Sequence, residues 1–328
     1  MLDLEGVMQS VKEDRTAIAE HYRNEIKAKT ISAEELIKMD VSEIPTLLEP
    51  IFPKVGLIGF AGSSDVGKSS LVRHFAVSVV LGQKSFIGMS INAQYNRAIY
   101  VSSEDSAESL AFLLQKLNNE YKLPASEYRG LKFITETENL LERLELELQS
   151  EPTDLIVLDT FGDLYGRSMN ESNQVRSFLN DYSQLAQKYQ CLVIVLHHTG
   201  KRTDEFAPSK HNLLGSQGFE SKMRLVVELR PDRHKNSQRH FCIVKGNYLP
   251  REFKESSIVL EMNDNFYFSA TGGRVSFEHL GAAGNTKQIE LEYEVLELAQ
   301  TGISQTAIAE KLGTNQPKVS RILSKNKT

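Results

Sequence analysis

Residues 55–82 read VGLIGFAGSSDVGKSSLVRHFAVSVVLG. The apolar run Val55–Ala61 is short and is bounded by turn residues, a pattern typical of a buried parallel strand. Gly62–Ser69, GSSDVGKS, then fits G-x-x-x-x-G-K-[ST], the pattern of a phosphate-binding loop. We expect a helix to follow over about residues 69–81, ended by Gly82. The motif therefore lies between a predicted strand and a predicted helix, which is the context that its chemistry requires.

The chemistry of a bound phosphate explains this spacing. A tight loop points successive backbone N–H groups inward, and glycines let the backbone approach a phosphate closely. The start of the helix adds partial positive charge. Lys68 should reach the β- and γ-phosphates of ATP, and the hydroxyl of Ser69 should ligate Mg²⁺. The predicted nucleotide-binding residues are Gly62, Ser63, Ser64, Asp65, Val66, Gly67, Lys68, Ser69 and Ser70.

Length and composition limit the classes of protein that fit. The chain has 328 residues, of which 40% are hydrophobic and 25% charged, and its formal net charge is −5. These are the values of an ordinary globular protein with a sizeable core and room for two or three domains. The acidic balance argues against a protein that coats DNA uniformly, although a local basic patch is enough to bind nucleic acid.

The cysteines and the hydropathy pattern indicate the cellular compartment in which we expect the protein. Cys191 and Cys242 lie in apolar runs that resemble strands, so we interpret both as buried thiols in a reducing compartment. No uncharged apolar run reaches about 18 residues, and the N-terminus lacks the apolar core of a signal peptide. We therefore expect a cytoplasmic protein with no membrane association.

Two further predicted strands end in carboxylates. Residues 97–102 form the first, followed by Glu104 and Asp105, and residues 155–158 form the second, which ends in Asp159. In an open parallel sheet, ligands bind at the carboxyl ends of the strands. Asp159 is expected near the bound Mg²⁺, and Glu104 can orient and deprotonate the water that attacks the γ-phosphate. The alternative for Glu104 and Asp105 is a cap on the following helix.

The predicted strand at residues 191–196 ends in two histidines. A metal site is one interpretation of His197 and His198, but no Cys, Asp or Glu stands nearby at ligand spacing. A polar side chain in this position could instead sense the γ-phosphate and pass its state to the long polar loop that follows, residues 201–222. The basic candidates for DNA contact in that loop are Lys201, Arg202 and Lys210.

The C-terminal residues are interpreted as a separate unit. Glycines and small residues at 271–286 are typical of a linker. Beyond it, two short helices are predicted at Gln305–Leu312 and Gln316–Leu323, across a turn at Gly313. This is the helix-turn-helix pattern, whose second helix lies in the major groove of DNA. The candidate DNA contacts there are Gln316, Lys318, Arg321 and Lys325. A protein-interaction module is the alternative.

The order and spacing of six motifs resemble a known family. The chain from about Ile51 to Ala270 resembles RecA-like ATPases of the branch that includes the hexameric plasmid replicative helicase RepA and, more distantly, DnaB and KaiC. The matching motifs are GSSDVGKS at 62–69, YVSSEDS at 100–106, LIVLDT at 155–160, VLHHTGK at 195–201, LLGSQG at 213–218 and VKGNYLP at 244–250.

The resemblance implies the fold of the ATPase domain, while the other segments of the domain plan rest on the sequence patterns alone and the helix-turn-helix lies outside the resemblance. The fold is α/β, a RecA-like and mostly parallel twisted sheet flanked by helices, with a C-terminal antiparallel hairpin extension. The four segments are a helical N-terminal extension (1–48), the ATPase domain (49–270), the linker (271–286) and a small all-α helix-turn-helix domain (287–328). The resemblance also implies a homo-oligomer, with a hexameric ring favoured.

The same resemblance implies roles for single residues. Glu104 corresponds to the catalytic glutamate, and His198 to the residue that senses γ-phosphate. Lys245 corresponds to a finger that a neighbouring subunit inserts into the site, where it supplies positive charge. Family members usually carry a second cationic finger two residues further on, where this chain has Asn247. Two arginines are unranked substitutes for that second finger, Arg233 and Arg251.

Three functions remain open at this point. The first is an oligomeric, DNA-associated ATPase, with a helicase of replication or of a mobile element as the leading subtype. The second is an ATP-controlled DNA-binding regulator, in which the nucleotide cycle sets assembly rather than driving a motor. The third, a small-molecule P-loop kinase, would need a lid with arginines and would leave the C-terminal residues unexplained.

Overall fold

The computed structural model describes residues 30–39, 41–169, 171–200, 202–281, 291–292, 294–296, 298–299 and 303–325. Lys201 and most of the predicted N-terminal extension lie outside the described residues, as do residues 282–290. The chain divides into two compact units, Met1–Ile44 and Pro45–Thr328. In the first unit, helix α1 (Ala33–Lys38) begins with a capping box, because Ser32 and Glu35 each accept a hydrogen bond from the other's backbone N–H.

The second unit contains the strands of the structure's sheets. They are β1 Thr46–Leu48, β2 Phe52–Pro53, β3 Gly56–Gly62, β4 Ser85–Phe86, β5 Met89–Ser90, β6 Ala98–Ser102, β7 Leu131–Ile134, β8 Leu155–Asp159, β9 Leu192–His198, β10 Leu225–Pro231, β11 Gln238–Gly246, β12 Ser256–Met262 and β13 Phe268–Ser276. Short two-stranded ribbons are formed by β1 with β2 and by β4 with β5.

Helices lie between these strands and after the last of them. They are α2 Lys68–Val80, α3 Ala107–Tyr121, α4 Leu140–Ser150, α5 Phe161–Tyr165, α6 Ser172–Tyr189, α7 Ser216–Lys222, α8 Phe277–Leu280, α9 Gln305–Lys311 and α10 Gln316–Lys325. Single 3₁₀ turns occupy Ala125–Tyr128, Thr203–Glu205, Lys210–Asn212 and Arg251–Lys254. Among the described residues, no helix has both the length and the apolar character needed to cross a bilayer.

The central sheet of the described chain has the order β13-β12-β11-β10-β3-β9-β8-β6-β7. The strands from β10 to β7 are all parallel, and β11, β12 and β13 are added antiparallel at one side. The parallel strands are near-continuous apolar runs because helices cover both of their faces. The predicted fold class, a mostly parallel sheet with an antiparallel extension, is confirmed.

Two apolar layers lie on opposite faces of this sheet. In β3, Ile58 and Phe60 face the layer that contains helix α2, while Leu57 and Ala61 face the layer that contains α4 and α6. Side chains alternate between faces along a strand, so one strand supplies both layers. Cys191 and Cys242 are buried and free, which confirms the interpretation of both as buried thiols.

Three predicted boundaries were wrong. Residues 271–276, assigned to the linker, continue β13, because Ser256, Ser257 and Ile258 of β12 pair with Ser276, Val275 and Arg274; Phe277–Leu280 then form α8. Residues 46–48, assigned to the N-terminal extension, form β1, whose Leu47 and Leu48 are buried in the core. The predicted polar loop 201–222 contains helix α7, because the fully buried Phe219 anchors it against the sheet.

The two C-terminal helices share an apolar cluster of their own. Val295, Ile308, Val319 and Ile322 are buried together. Helices α9 and α10 are joined at Gly313, whose φ of 60° is in the left-handed region that favours glycine. The predicted pair of helices across a glycine turn is therefore present.

Two leucines of α4 test the core assignment. Leu144 is fully buried and Leu146 is 67% exposed, although both lie in the same helix. Leu144→Ala should lower the free energy of unfolding by roughly 2–5 kcal/mol, because it removes buried methyl groups and leaves a cavity. Leu146→Ala should change it by less than about 0.5 kcal/mol. Urea denaturation of both variants measures the difference, and equal losses would contradict the assignment.

Candidate nucleotide-binding site

The glycines of the phosphate-loop motif are required by the backbone. A Cβ added to Gly62 would lie 2.5 Å from the carbonyl oxygen of Leu229 in the neighbouring strand β10. Gly67 has a φ of 94° and is the residue that precedes helix α2. Its Cα faces Phe268 and Met262, which lie within ordinary contact distance of an added Cβ. The loop is thus held between β10 and the hairpin of β12 and β13.

Lys68, the first residue of α2, points into this loop. Its side chain is buried, and Nζ donates a hydrogen bond of 2.8 Å to the carbonyl oxygen of Ser63. Burial lowers the pKa of Lys68, while the carboxylates of Asp159 and Glu104 oppose that change. The structure therefore places an ammonium group close to both of the carboxylates that the sequence singles out.

Asp159 ends β8 with a carboxylate that is only partly satisfied. Tyr100 donates a hydrogen bond of 2.5 Å to Oδ2. Among the described residues, Oδ1 has no hydrogen-bond partner although it is buried. Burial raises the pKa of Asp159, and the hydroxyls of Tyr100 and Ser69 and the charge of Arg73 counteract part of that rise. A buried carboxylate oxygen beside a serine hydroxyl suits a cation.

Arg73 and Tyr100 support this carboxylate, and the sequence reasoning missed both. Arg73 lies one turn along α2 from the loop, and its guanidinium stacks over the Tyr100 ring at 5.4 Å from the centroid. It also pairs with Asp105 at 3.0 Å. Tyr100 begins the motif YVSSEDS, where its position in the strand pattern is that of an apolar core residue. The only sequence signal for a polar partner is its hydroxyl group.

Glu104 follows β6 and lies near a group of carboxylates. Because β6 pairs with β8, Ser102 lies opposite Asp159. Partial burial and the carboxylates of Asp159 and Asp163 raise the pKa of Glu104. Asp163 is in helix α5 and accepts hydrogen bonds from Ser103 and Thr160. The arrangement favours a glutamate that accepts a proton more readily than an isolated one.

The two histidines of β9 have different surroundings. His198 pairs with Gly62 in register and is half-buried; burial and the nearby Lys68 lower its pKa. His197 is fully buried, shares a hydrogen bond of 2.7 Å with the Leu214 carbonyl oxygen, and has a pKa lowered to about 4 by burial. His198, not His197, therefore faces the phosphate loop.

Lys245 lies away from this chain's own phosphate loop. Its register partner in β10 is Val226, which is opposite Gly59 rather than Gly62. The ammonium group pairs with the Glu220 carboxylate at 2.9 Å and donates to the Glu220 carbonyl oxygen at 2.7 Å. Burial pushes the pKa of Glu220 upward, but its pairing with Lys245 and Lys210 outweighs burial, and the net pKa is lowered.

The candidates for a second finger lie at different ends of the same strands. Arg233 is in the turn between β10 and β11 and donates to the Asp204 carbonyl oxygen. Arg251 follows Gly246, near the end of β11 that carries Lys245, and pairs with Glu255. Asn247 is exposed and donates its backbone N–H to the Arg224 carbonyl oxygen. Arg251, not Arg233, shares an end of the sheet with Lys245.

The residues proposed for DNA contact fall into two groups. In the loop, Arg202 is exposed, and Lys210 is near Glu220 at 3.5 Å. In α10, Lys318 and Arg321 are exposed and three residues apart, so they share one face of the helix. Gln316 bonds to Gln305 of α9 at 2.8 Å. Lys325 ends α10.

The residues present fit a magnesium ion that also binds phosphate. Within the described part of the chain, no group of three or more His, Cys, Asp or Glu side chains is arranged to hold a metal by itself. Mg²⁺ in nucleotide sites, however, is usually held by one or two protein oxygens together with substrate phosphates and water. Asp159 Oδ1, which lacks a partner among the described residues, and the Ser69 hydroxyl form such a pair.

Comparison with known proteins identifies the family. Residues 22–204 match the family model AAA_25, described as an AAA domain. Among solved structures, one ATPase domain has a TM-score of 0.54 at 13% sequence identity, covering 72% of this chain and 95% of that chain. A KaiC-like protein from the hyperthermophilic archaeon Pyrococcus horikoshii OT3 gives 0.49 at 15% identity, covering 70% and 96%. No curated protein matches the sequence.

At such identities the likeness concerns the fold alone. The first of these structures is an ATPase domain that is matched over nearly its whole length. The predicted RecA-like sheet, flanked by helices, agrees with it, and the family match covers the phosphate loop, Glu104 and Asp159.

Gly62→Ala tests the contact between the loop and β10. The added methyl group would overlap the Leu229 carbonyl oxygen, so the variant should lose roughly 1–3 kcal/mol of unfolding free energy. It should also bind ATP more weakly, because the displaced segment carries the loop amides. Gly162→Ala is the matched control, since the nearest neighbour of its added Cβ is the Met169 methyl group at 3.4 Å. Equal stability and ATP affinity of the two variants, by denaturation and calorimetry, would contradict the argument.

Proposed function

Because the chain belongs to the AAA domain family AAA_25, we propose that it is an ATP-hydrolysing enzyme with a RecA-like nucleotide site. One observation carries the proposal. Lys68 is buried at the edge where β3, β8 and β6 end, and the carboxylates of Asp159 and Glu104 at that edge act on its pKa. An ammonium, a partly unsatisfied buried carboxylate and a carboxylate of raised pKa are the groups that phosphoryl transfer to water needs.

The phosphate loop binds and orients the triphosphate. The backbone N–H groups of residues 62–70 and the start of α2 provide donors for the phosphate oxygens. Lys68 adds a positive charge at the β- and γ-phosphates. The Ser69 hydroxyl and Asp159 would hold Mg²⁺, which supplies positive charge at the phosphate oxygens when it is bound. Arg73 and Tyr100 keep the Asp159 side chain in place for this role.

Glu104 is the general base in this proposal. It lies beyond the end of β6, and its raised pKa favours acceptance of a proton from the attacking water. The alternative, a helix cap, is not supported, because Ser106 accepts the Ser109 N–H and is the cap of α3. His198 is assigned the sensing of γ-phosphate, since it lies beside Gly62 at the end of the neighbouring strand.

A second copy of the chain is proposed to complete the site. Lys245 is level with Gly59, three residues before the Gly62 that begins the phosphate loop, so its proposed role as a finger requires the site of a neighbouring subunit. Arg251 is the better substitute for a second finger, because it lies at the same end of β11 as Lys245. A hexameric ring is the arrangement that we favour.

DNA is the proposed partner. The exposed Lys318 and Arg321 on one face of α10 support a helix-turn-helix that contacts DNA phosphates. A helicase or another DNA-remodelling factor of replication or of a mobile element is the leading subtype. The second candidate is a regulator in which ATP sets assembly. The pairing of Lys210 with Glu220 favours this candidate, because the pairing neutralises one basic residue of the loop that a motor would use to contact DNA.

The ATPase proposal is tested by two substitutions. Lys68→Ala should lower kcat/KM for ATP by at least about 100-fold, because the charge that stabilises the transferring phosphoryl group is removed. Glu104→Gln should still bind ATP but should hydrolyse it about 100- to 10,000-fold more slowly. Phosphate release and calorimetric binding measure both effects. Lys84→Ala, at an exposed lysine, is the control; full activity of the Lys68 variant would refute the proposal.

The DNA proposal is tested on the full chain. Lys318→Ala combined with Arg321→Ala should weaken duplex binding and reduce the slope of log affinity against log salt by about two, one for each phosphate that the protein no longer neutralises. Lys84→Ala should leave both unchanged. Fluorescence anisotropy with labelled DNA measures the slope, and an unchanged slope argues against binding through α10. Strand displacement with ATPase stimulation by single-stranded DNA would separate the motor from the regulator.

A further inference from the structure

Strand β10 carries two buried opposite charges next to the phosphate-loop strand. Glu228 is opposite Ala61, and Leu229 is opposite Gly62, so Glu228 and Arg230 are level with the start of the phosphate loop. The two side chains point to the same face of the sheet because they are two residues apart. Glu228 is 1% exposed and Arg230 is 2% exposed. Such burial is costly unless each charge has good partners.

The partners of this pair come from one segment. Glu228 Oε1 is 3.1 Å from Arg230 Nε, and Oε2 accepts the Ser209 N–H at 3.0 Å. The Asn212 side-chain amide donates to both carboxylate oxygens, at 3.2 and 3.1 Å. Arg230 donates to the Phe206 carbonyl oxygen at 2.5 Å and also to the Thr203 carbonyl oxygen. Apart from the pair itself, every one of these groups belongs to residues 203–212.

This segment, the clamped loop, is tied to the phosphate end of the site. Thr199 donates its N–H to the Gly62 carbonyl oxygen at 3.2 Å, and Gly200 donates to the Asn212 carbonyl oxygen at 2.9 Å. Asp204 lies between the two residues whose carbonyl groups Arg230 holds, and its Oδ1 is 3.8 Å from Arg230 Nε. Its carboxylate is also near enough to Lys68 to influence the pKa of that residue.

We propose that Glu228 and Arg230 are positioning residues that fix the clamped loop, residues 203–212, and with it Asp204 and the strand end at His198, relative to the phosphate loop. The inference rests on the proposed ATPase function. Neither residue is assigned a contact with nucleotide; they act through the loop. Transition-state geometry is sensitive to displacements of about 1 Å, whereas ground-state binding depends on Lys68 and the loop amides, which the pair does not contact.

The test combines a loop reporter with kinetics on the full-length protein. Both native cysteines are buried, so a fluorophore on Glu205→Cys, an exposed position of the loop, labels one site. Arg230→Met and Glu228→Gln should each lower the anisotropy of this label before nucleotide is added. Each should also lower kcat for ATP by about 10- to 100-fold. The Kd for methylanthraniloyl-ADP should stay within about threefold.

Two further variants separate positioning from general stability. The double variant Glu228→Leu/Arg230→Met replaces the pair with apolar side chains, which often restores stability. It should recover the Tm of the parent while kcat and label anisotropy stay low. His240→Gln alters a buried residue that is opposite Arg230 but bonds to Asp232 and Ser257 instead of the loop. It should leave the label anisotropy unchanged. If Arg230→Met does not fold, Asn212→Ala, on the loop side of the contact, replaces it.

Unchanged anisotropy in Arg230→Met, or in Asn212→Ala where that variant replaces it, would overturn the proposal. So would a double variant that regains kcat together with Tm, because a purely structural pair predicts that joint recovery. Failure of the proposed function gives a different result: the parent protein would then neither hydrolyse ATP nor bind the labelled ADP. In that case the anisotropy in the absence of nucleotide still decides whether the pair holds the loop.

Discussion

The structure depends on keeping an ammonium group and a carboxylate buried and close to each other without pairing them completely. Lys68 is 6% exposed and Asp159 is 4% exposed. Burial lowers the pKa of Lys68 and raises the pKa of Asp159, so it favours the neutral form of each side chain. The attraction of the Asp159 carboxylate opposes the change at Lys68. A buried Asp159 Oδ1 with no partner among the described residues is unfavourable by itself. A bound cation and phosphate would resolve this conflict, because their charges match the polar groups that are left unsatisfied.

The parallel sheet supplies the geometry that makes this possible. Gly62 is opposite His198, and Ser102 is opposite Asp159, so four neighbouring strands deliver the loop, the sensor candidate and the carboxylates to a single edge. Helices pack on both faces of the sheet and form two apolar layers with it, which hold the strands that end at this edge. The register of each strand therefore places these groups at the carboxyl edge, where ligands bind in open parallel sheets.

The sequence allowed the strand ends to be predicted, because the phosphate-loop motif and the apolar runs are local patterns. The supports of the site were not predictable in this way. Tyr100 and Asp159 are 59 residues apart, and Arg73 and Asp105 are 32 apart. Glu228 and Arg230 lie in a run that reads as an ordinary strand, and only the folded chain brings residues 203–212 to them. The glycines at 272 and 273 suggested a linker. The strand there depends on pairing with β12, which is a tertiary contact that a local pattern does not reveal.

The pairing of Lys245 with Glu220 constrains how a finger in a second subunit would work. In a single chain the ammonium group already has a half-buried carboxylate partner and a carbonyl acceptor. To reach the triphosphate of a neighbour, Lys245 must leave both, and the Glu220 carboxylate must then be satisfied elsewhere. Lys210 lies within 3.5 Å of the same carboxylate and can take over that role. Because Lys210 belongs to the clamped loop, a finger role for Lys245 would link the position of Lys245 to the position of the loop. Assembly and the state of the phosphate site would then influence each other through Glu220, without any further contact between them.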